Sequence, residues 1–375
     1  MHILVTGGLG YIGAHMVAEL VETRSPNAPM TVVIVDNLKN STPRTFETLR
    51  HLVPSSSEDT QGTHLELHVV DICDAAAMVR LFATYAFEVV YHLAALKSIT
   101  ESFEDPDAYY QTNYLASTRL VDLCLQHRVR TFIFSSSASV YGNQAVPTNG
   151  FRESDALHPD DIAHMYGKTK RMVEVYLESL AKQGHTDTTF IALRYFNPIG
   201  NHPTGRIGEL LANTTEHMSL FKLLSTEYLK AHTKRASTPC TDARNAYTPT
   251  VCIFGDDYPT ADGTCERDVI HVSDVAQCHV RVAQHTYTTS YQVFNVGRGF
   301  PTSVKTLVDT YASVSRTAFS TRRCERRQGD AVSSYANVEC IHEAIGWAAI
   351  HTVQRACTDG VAHCHHILQR HTTED

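Results

Sequence analysis

Four glycines fall within seven residues near the start of this chain, in Gly7-Gly8-Leu9-Gly10-Tyr11-Ile12-Gly13. Residues 1–6 before them form a short apolar run that reads as a strand. Tyr11 to Glu22 after them carries apolar residues at helical spacing, and Thr31-Val32-Val33-Ile34-Val35-Asp36 reads as a second strand. That order is a β-α-β unit with a glycine turn between its first strand and its helix. The run satisfies Gly-x-Gly-x-x-Gly from Gly8 and Gly-x-x-Gly-x-x-Gly from Gly7. Glycine lets the backbone turn tightly and approach a pyrophosphate, and the helix N-terminus offers unpaired N–H groups and a favourable dipole. Gly7, Gly10, Tyr11, Ile12 and Gly13 are therefore candidate dinucleotide contacts. Asp36 ends the second strand, where a carboxylate suits the two hydroxyls of an adenosine ribose and repels a 2′-phosphate. The expected cofactor is NAD rather than NADP.

The alternation continues along the chain. Leu65 to Val70, Val89 to His92, Thr131 to Phe134 and Phe190 to Leu193 read as strands, with helices over Ala75–Tyr85, Asp107–His127 and about Tyr166–Gln183 between them. Buried strands alternating with helices predict an α/β fold, a doubly wound parallel sheet of Rossmann type. Further cofactor contacts follow from strand ends. Asp71-Ile72 after the third strand is placed to meet the adenine, and Leu93-Ala94-Ala95 after the fourth offers small residues for close approach. Lys97 and Asn113 are in reach of the cofactor's polar groups, although a lone lysine such as Lys97 is otherwise a solvated cation. Residues 1–197 are expected to form the NAD-binding domain, with its sheet continued by later segments. Residues 198–375 are expected to supply mainly a smaller C-terminal substrate-binding lobe over the open end of the sheet. The polar stretch 226–250 reads as a loop insertion, and Arg24 to Pro29 and Pro54 to Thr63 as loop expansions.

A hydrophobic fraction of 43% and a charged fraction of 19% are those of an ordinary globular protein. The net charge of −8 argues against nucleic-acid binding by charge attraction. No apolar run is long enough to span a membrane, the first residues read as a buried strand and not a signal peptide, and the last lack retention and peroxisomal endings. The expected location is cytoplasmic. Ten cysteines without a Cys-x-x-Cys pair are expected to be reduced thiols. His363-Cys364-His365-His366 has no recognised zinc spacing and reads as an exposed polar helix end, so no metal is expected.

Tyr166-Gly167-Lys168-Thr169-Lys170 places a phenol and an ammonium four residues apart, on one face of a helix. A cation there favours the phenolate and lowers the phenol pKa, which makes Tyr166 a candidate base for a sugar hydroxyl. The serine run ending at Ser137 lies upstream.

With these residues in view, the chain resembles the extended short-chain dehydrogenase/reductase family, and within it the UDP-glucose (UDP-galactose) 4-epimerase branch. The residues that carry the resemblance are Val5 to Gly13, Asp36-Asn37 with Asn40-Ser41, Phe132 through Gly142, Tyr166 to Lys170, Leu193 to Pro198, Ile253 to Thr260, Asp262-Gly263-Thr264 with Arg267-Asp268 and Ile270-His271-Val272, and Arg326 to Asp330. It runs over nearly the whole chain. The resemblance implies Ser137, Tyr166 and Lys170 as the catalytic set. It adds Asn37, Asn40, Ser41 and Tyr195 to the cofactor contacts, the last beside the nicotinamide. It assigns Asn197, Phe254, Arg267, Arg327 and Asp330 to the nucleotide-sugar, with Ser137 and Tyr166 at the sugar. The implied reaction interconverts UDP-galactose and UDP-glucose by removal and return of the C4 hydride through a 4-keto sugar, and the implied assembly is a homodimer.

Some positions depart from the family pattern: Thr215-Glu216-His217-Met218, Val269, Ala163-His164-Met165 and Phe300-Pro301-Thr302. Ser334 stands where the family has either tyrosine or a small residue. A small residue leaves room beside the sugar 2-position, so N-acetylated UDP-sugars are expected to be accepted as well. Two other readings stay open. A dehydratase or decarboxylase on nucleotide sugars shares this fold, but a dehydratase needs an acid pair where Ala138 and Ser139 stand. A catalytically silent dinucleotide-binding protein would be expected to lose Ser137, Tyr166 or Lys170.

Overall fold

Consecutive β-branched residues in the early strands bury both faces of a central sheet. Val32 and Ile34 enter one core, and Val33 and Val35 enter the other. A strand buried on both sides belongs in the interior of a parallel sheet covered by helices. The structure is a computed structural model and describes residues 1–24, 29–53, 62–184, 187–211, 218–237, 247–327 and 330–371. Most of the two early loop expansions, and Thr215-Glu216-His217, lie outside the described residues.

The first half runs β1 (His2–Thr6), α1 (Tyr11–Glu22), β2 (Met30–Asp36), α2 (Pro43–Arg50), β3 (Thr63–Val69), α3 (Ala75–Thr84), β4 (Phe87–His92), α4 (Glu101–Glu104), α5 (Pro106–Tyr109), α6 (Ala116–Gln126), β5 (Thr131–Ser137), α7 (Met165–Gln183) and β6 (Thr189–Tyr195). A π-helical turn, Tyr110–Leu115, joins α5 to α6 and carries Asn113. The second half runs β7 (Asn197–Ile199), α8 (Leu220–Ser237), β8 (Thr250–Phe254), β9 (Glu266–His271), α9 (Val272–Gln284), β10 (Tyr291–Val296), β11 (Pro301–Ser303), α10 (Val304–Ser315), β12 (Ser320–Cys324), β13 (Ser333–Ser334), α11 (Glu339–Ile345) and α12 (Val353–His371).

Seven strands form one parallel sheet in the order β10-β6-β5-β4-β1-β2-β3. The direction of winding reverses between β1 and β4, and the crevice at their carboxyl ends is where such sheets take ligands. The glycine turn after β1 opens into it. Residues beyond 197 return to this sheet, because β10 pairs with β6 and α9 packs along α1. A smaller mixed sheet links β7, β9, β11 and β13, and β8 pairs in parallel with β12. Behind these, α8, α10 and α12 enclose a separate core that includes Phe221, Leu224, Tyr228, Tyr311 and Cys364.

Two expectations are corrected. Residues 226–237 of the expected loop insertion are helical, as the end of α8, and Tyr228 and Ala231 are buried there. The polar composition hid a helix whose inward face needs only a few apolar residues. Residues 238–246 lie outside the described residues. The His363–His366 segment is not an exposed helix end either. Cys364 is fully buried in α12, and His363 donates from Nδ1 to the Gly205 carbonyl at 2.7 Å. Among the described residues, no three His, Cys, Asp or Glu side chains are grouped to hold a metal ion, and no helix is long and apolar enough to cross a membrane.

Candidate active site

The glycine turn is as tight as backbone allows. Gly7 has φ +68°, and a Cβ there would lie 2.7 Å from the Ala94 nitrogen; one on Gly13 would lie 2.1 Å from the Gly7 carbonyl oxygen. The close approach of Leu93-Ala94 after β4 excludes a side chain at Gly7, and the turn's own backbone at Gly7-Gly8 excludes one at Gly13. Gly10 caps α1 with no side-chain hydrogen bond, so the first N–H groups of the helix remain available to an anion. Asp36 accepts from Leu9 N at 3.0 Å, Leu38 N at 2.9 Å and Ser41 Oγ at 2.7 Å. It thereby fastens the glycine turn to the loop after β2. In that loop Asn37 donates to Asp71 at 2.8 Å. Burial pushes the Asp71 carboxyl up, but hydrogen bonds from Cys73 N and Asn37 outweigh it and hold the pKa below its ordinary value. Ile72 is buried next to it. Cradle, free helix N-terminus and acidic strand end together fit a dinucleotide.

Some predicted contacts have other partners. Asn113 is buried, and its amide clamps Leu96 by accepting from Leu96 N at 2.8 Å and donating to Leu96 O at 2.9 Å. It shapes the segment Leu93-Ala94-Ala95-Leu96 after β4. Lys97 reaches across to Glu209 at 3.0 Å and lies 5.9 Å from the centre of the Tyr11 ring. Tyr11 donates to the Gly200 carbonyl at 2.6 Å, and burial, then Glu209, raises its pKa.

Ser137, Tyr166 and Lys170 are brought together. Ser137 ends β5, and Tyr166 and Lys170 occupy successive turns at the start of α7. The Ser137 hydroxyl donates to Ser139 Oγ at 3.1 Å and is near enough to the Tyr166 phenol to lower its pKa. Lys170 Nζ donates to the Ser135 carbonyl at 2.6 Å and lies 5.8 Å from the Tyr166 ring centre. The expected depression of the Tyr166 pKa by Lys170 is not what the chain's own groups produce. Burial raises it, and the nearby Ser137 hydroxyl opposes only part of that shift. Lys170 itself is lowered to about 7 by burial, with Glu174 acting the other way. An ammonium out of water and bound to a carbonyl is a weaker source of positive potential than helix spacing alone suggests.

A layer beneath this set was not foreseen. Ser136 donates to Glu174 at 2.6 Å, and Arg194 grips both oxygens of Glu174. Tyr195 pairs in register with Ser137, and its hydroxyl hydrogen-bonds His279 on α9. His164 caps α7 by accepting from Gly167 N at 3.0 Å and stacks on Tyr166 with ring centres 6.1 Å apart. Arg194 falls inside the Leu193–Pro198 motif. No spacing ties it to Glu174, and none ties His279 to Tyr195.

The substrate-side residues also converge. Asn197 follows β6, and its amide donates to the Asp268 carbonyl at 3.1 Å. Arg267 pairs in register with Ser334 and donates to Asp330 at 3.3 Å. Arg327 donates to the other oxygen of Asp330 at 2.8 Å and lies 4.8 Å from the centre of the Phe254 ring. Asp330 thus holds two guanidinium groups beside an aromatic face. Asp268, unassigned from sequence beyond its place in a motif, accepts from Arg298 N, Gly299 N and Ala336 N and locks these loops together. Asn40 stands in the loop held by Asp36.

A doubly wound sheet with a glycine cradle at its switch point and a Ser-Tyr-Lys group at the next strand defines a dinucleotide-dependent enzyme of the short-chain dehydrogenase type. The particular family is confirmed by comparison: residues 3–297 match the NAD dependent epimerase/dehydratase family, and the chain belongs to it. It is 33% identical to UDP-glucose 4-epimerase of Caenorhabditis elegans over 362 residues, 96% of each chain. Among solved structures it is similar to the UDP-glucose-4-epimerase of Stenotrophomonas maltophila with bound NAD and formylated UDP-arabinopyranose, at 33% identity, 99% coverage of each chain and a TM-score of 0.82. The UDP-glucose 4-epimerase of Bifidobacterium longum in complex with NAD+ and UDP is similar at 29% identity, with 97% of this chain and 98% of that one covered and a TM-score of 0.78.

Proposed function

We propose that this protein interconverts UDP-galactose and UDP-glucose, an NAD-dependent inversion at sugar C4 that passes through a 4-keto sugar. The observation that carries the reading is the convergence of Ser137, Tyr166 and Lys170 beside the glycine cradle, within a chain that matches UDP-glucose 4-epimerases over nearly its full length.

NAD, when bound, supplies the hydride acceptor and donor at C4 and a positive ring next to the phenol. The phenol oxygen of Tyr166 takes the proton from the 4-hydroxyl and returns it. Ser137 hydrogen-bonds the same sugar oxygen and keeps it aimed at Tyr166. Lys170, held by the Ser135 carbonyl, binds the cofactor's ribose. Asp36 holds the adenosine ribose, and Gly7, Gly10 and Gly13 admit the pyrophosphate. Asn37, Asn40, Ser41, Asp71 and Ile72 border the adenine end, and Leu93, Ala94, Ala95 and Tyr195 the nicotinamide end. Residues 1–197, together with α9 and β10, serve the cofactor, and most of the remainder serves the UDP-sugar. Phe254 packs on uracil, Arg267 and Arg327 meet the diphosphate, and Asn197 and Asp330 position the nucleotide-sugar. Affinity placed on UDP, remote from C4, leaves the keto sugar free to rotate between hydride removal and return. Absence of an acid at Ala138 and Ser139 disfavours dehydration. We further propose a homodimer located in the cytoplasm.

Incubation of the purified chain with UDP-galactose is expected to yield UDP-glucose without added NAD consumption. No product from chain that carries bound NAD would defeat the proposal.

A further inference from the structure

The parallel register of β8 and β12 brings two cysteines together on an outward face. Cys252 lies opposite Arg322, and Cys324 stands two residues farther along β12, so strand alternation puts Cys252, Arg322 and Cys324 on one side. The opposite side carries Val251, fully buried in the lobe core. Both thiols are partly exposed. Arg322 Nη2 donates to Cys252 Sγ at 3.0 Å and the Cys324 thiol donates to the Arg322 carbonyl at 3.8 Å, so one residue contacts both sulfurs. The neighbouring Cys324 thiol, then Arg322, lowers the Cys252 pKa, and the neighbouring Cys252 raises that of Cys324. Every other described cysteine is pushed up by burial. Cys252 therefore stands apart as the sulfur biased towards thiolate, with a second thiol one diagonal step away on the same face of the paired strand. That is the arrangement of an attacking and a resolving thiol.

We propose that Cys252 and Cys324 form a reversible oxidation site that closes to a disulfide in reaction with a low-molecular-weight disulfide. The Cys252 thiolate attacks one sulfur of the small disulfide, forms a mixed disulfide and expels one thiolate. Cys324 gives its proton to solvent, attacks the Cys252 sulfur and expels the second thiolate. The protein loses two electrons and two protons in all, and the small disulfide is reduced to two thiols.

The position of the pair gives the modification a consequence. Phe254 lies two residues after Cys252, and Arg326 and Arg327 lie two and three residues after Cys324. Disulfide sulfurs sit about 2.05 Å apart, so closure of this diagonal pair requires β8 and β12 to shift next to Phe254, the register partner of Cys324. Resting on the reading of the Phe254–Arg327 contact as part of the nucleotide-sugar site, oxidation weakens substrate binding and leaves the NAD cradle unchanged.

The test uses the full chain, reduced, freed of reductant and incubated with oxidised glutathione. Digestion without reduction and mass spectrometry are expected to find a Cys252–Cys324 linked peptide that dithiothreitol abolishes. In C324S glutathione is expected to stay on Cys252, and in C252S neither the adduct on 252 nor the link forms. Absence of the link in wild type, or glutathione retained there on Cys252, overturns the proposal. In parallel, KM for UDP-galactose is expected to rise by about threefold to tenfold with kcat unchanged, the pattern of lost uniform binding, and not to rise in C252S. A link that forms without a change in KM overturns the coupling to the substrate lobe. A chain with no epimerase activity in any state overturns the substrate reading, while the peptide map still decides the thiol pair.

Discussion

Glu174 and Arg194 face each other as a bidentate ion pair with both side chains out of water, Arg194 Nε at 3.0 Å from one carboxylate oxygen and Nη2 at 2.8 Å from the other. Ser136 donates to the same carboxylate, and Tyr141 accepts from the same guanidinium at 3.0 Å. The pair ties α7 to β5 and β6 one turn beyond Lys170. Breaking a buried pair from one side leaves an uncompensated charge and costs about 3–5 kcal/mol. Glu174→Leu is expected to destabilise the fold by that order in urea unfolding, and a change under about 1 kcal/mol would show that the pair does not hold these elements.

Gly13→Ala is expected to expel NAD. The added Cβ would lie 2.1 Å from the Gly7 carbonyl oxygen, a backbone atom with no rotamer to yield. Purified variant should carry little or no cofactor by absorbance after acid release. Full cofactor content at wild-type stoichiometry would mean that the cradle is elsewhere.

Tyr166→Phe removes the proton acceptor and keeps the ring. General-base loss typically costs about 10²–10⁴ in rate, so kcat should fall by that order with KM for UDP-galactose nearly unchanged. Ser137→Ala should fall less, because it removes a hydrogen bond to the reacting oxygen and not the base. Equal activity of Tyr166→Phe and wild type would remove Tyr166 from the chemistry.

Lys170 contributes a particular pH dependence to stability. Burial lowers its pKa to about 7 in the folded chain from an ordinary 10.5. Between those values the unfolded chain holds the proton and the folded chain does not. Stability then rises with pH across that window. Relative to Lys170→Met, wild type is expected to gain stability from pH 7 to pH 9 in paired urea titrations. A flat difference would place the ammonium in a better-solvated setting.

Ser334→Tyr fills space beside Arg267, its register partner on β9. Activity on UDP-N-acetylglucosamine is expected to drop by about 10–200-fold while UDP-galactose turnover persists, the span that a small change of pocket fit gives. Equal activity of both proteins on the N-acetylated sugar would sink the assignment of Ser334.

Chain order and residue type determined the local parts. Alternating β-branched runs and amphipathic helices specify a parallel sheet because only a strand buried on both faces tolerates such runs, and the strands from β1 to β6 lie within a few residues of where the pattern puts them. Gly7 to Gly13 and Asp36 identify the dinucleotide end because backbone geometry and charge at a strand end are local properties. Tyr166 and Lys170 share a face by helix period alone. Tertiary structure decided what depends on groups distant in sequence. Burial, not helix spacing, sets the protonation of Tyr166 and Lys170. Asn113 is committed to Leu96, Tyr195 to His279, and Glu174 to Arg194. The polar end of α8 and the His363–Cys364 stretch turned out to be packed. Periodicity reports which face of an element is apolar, but desolvation and hydrogen-bond partners are fixed only when a second element covers that face.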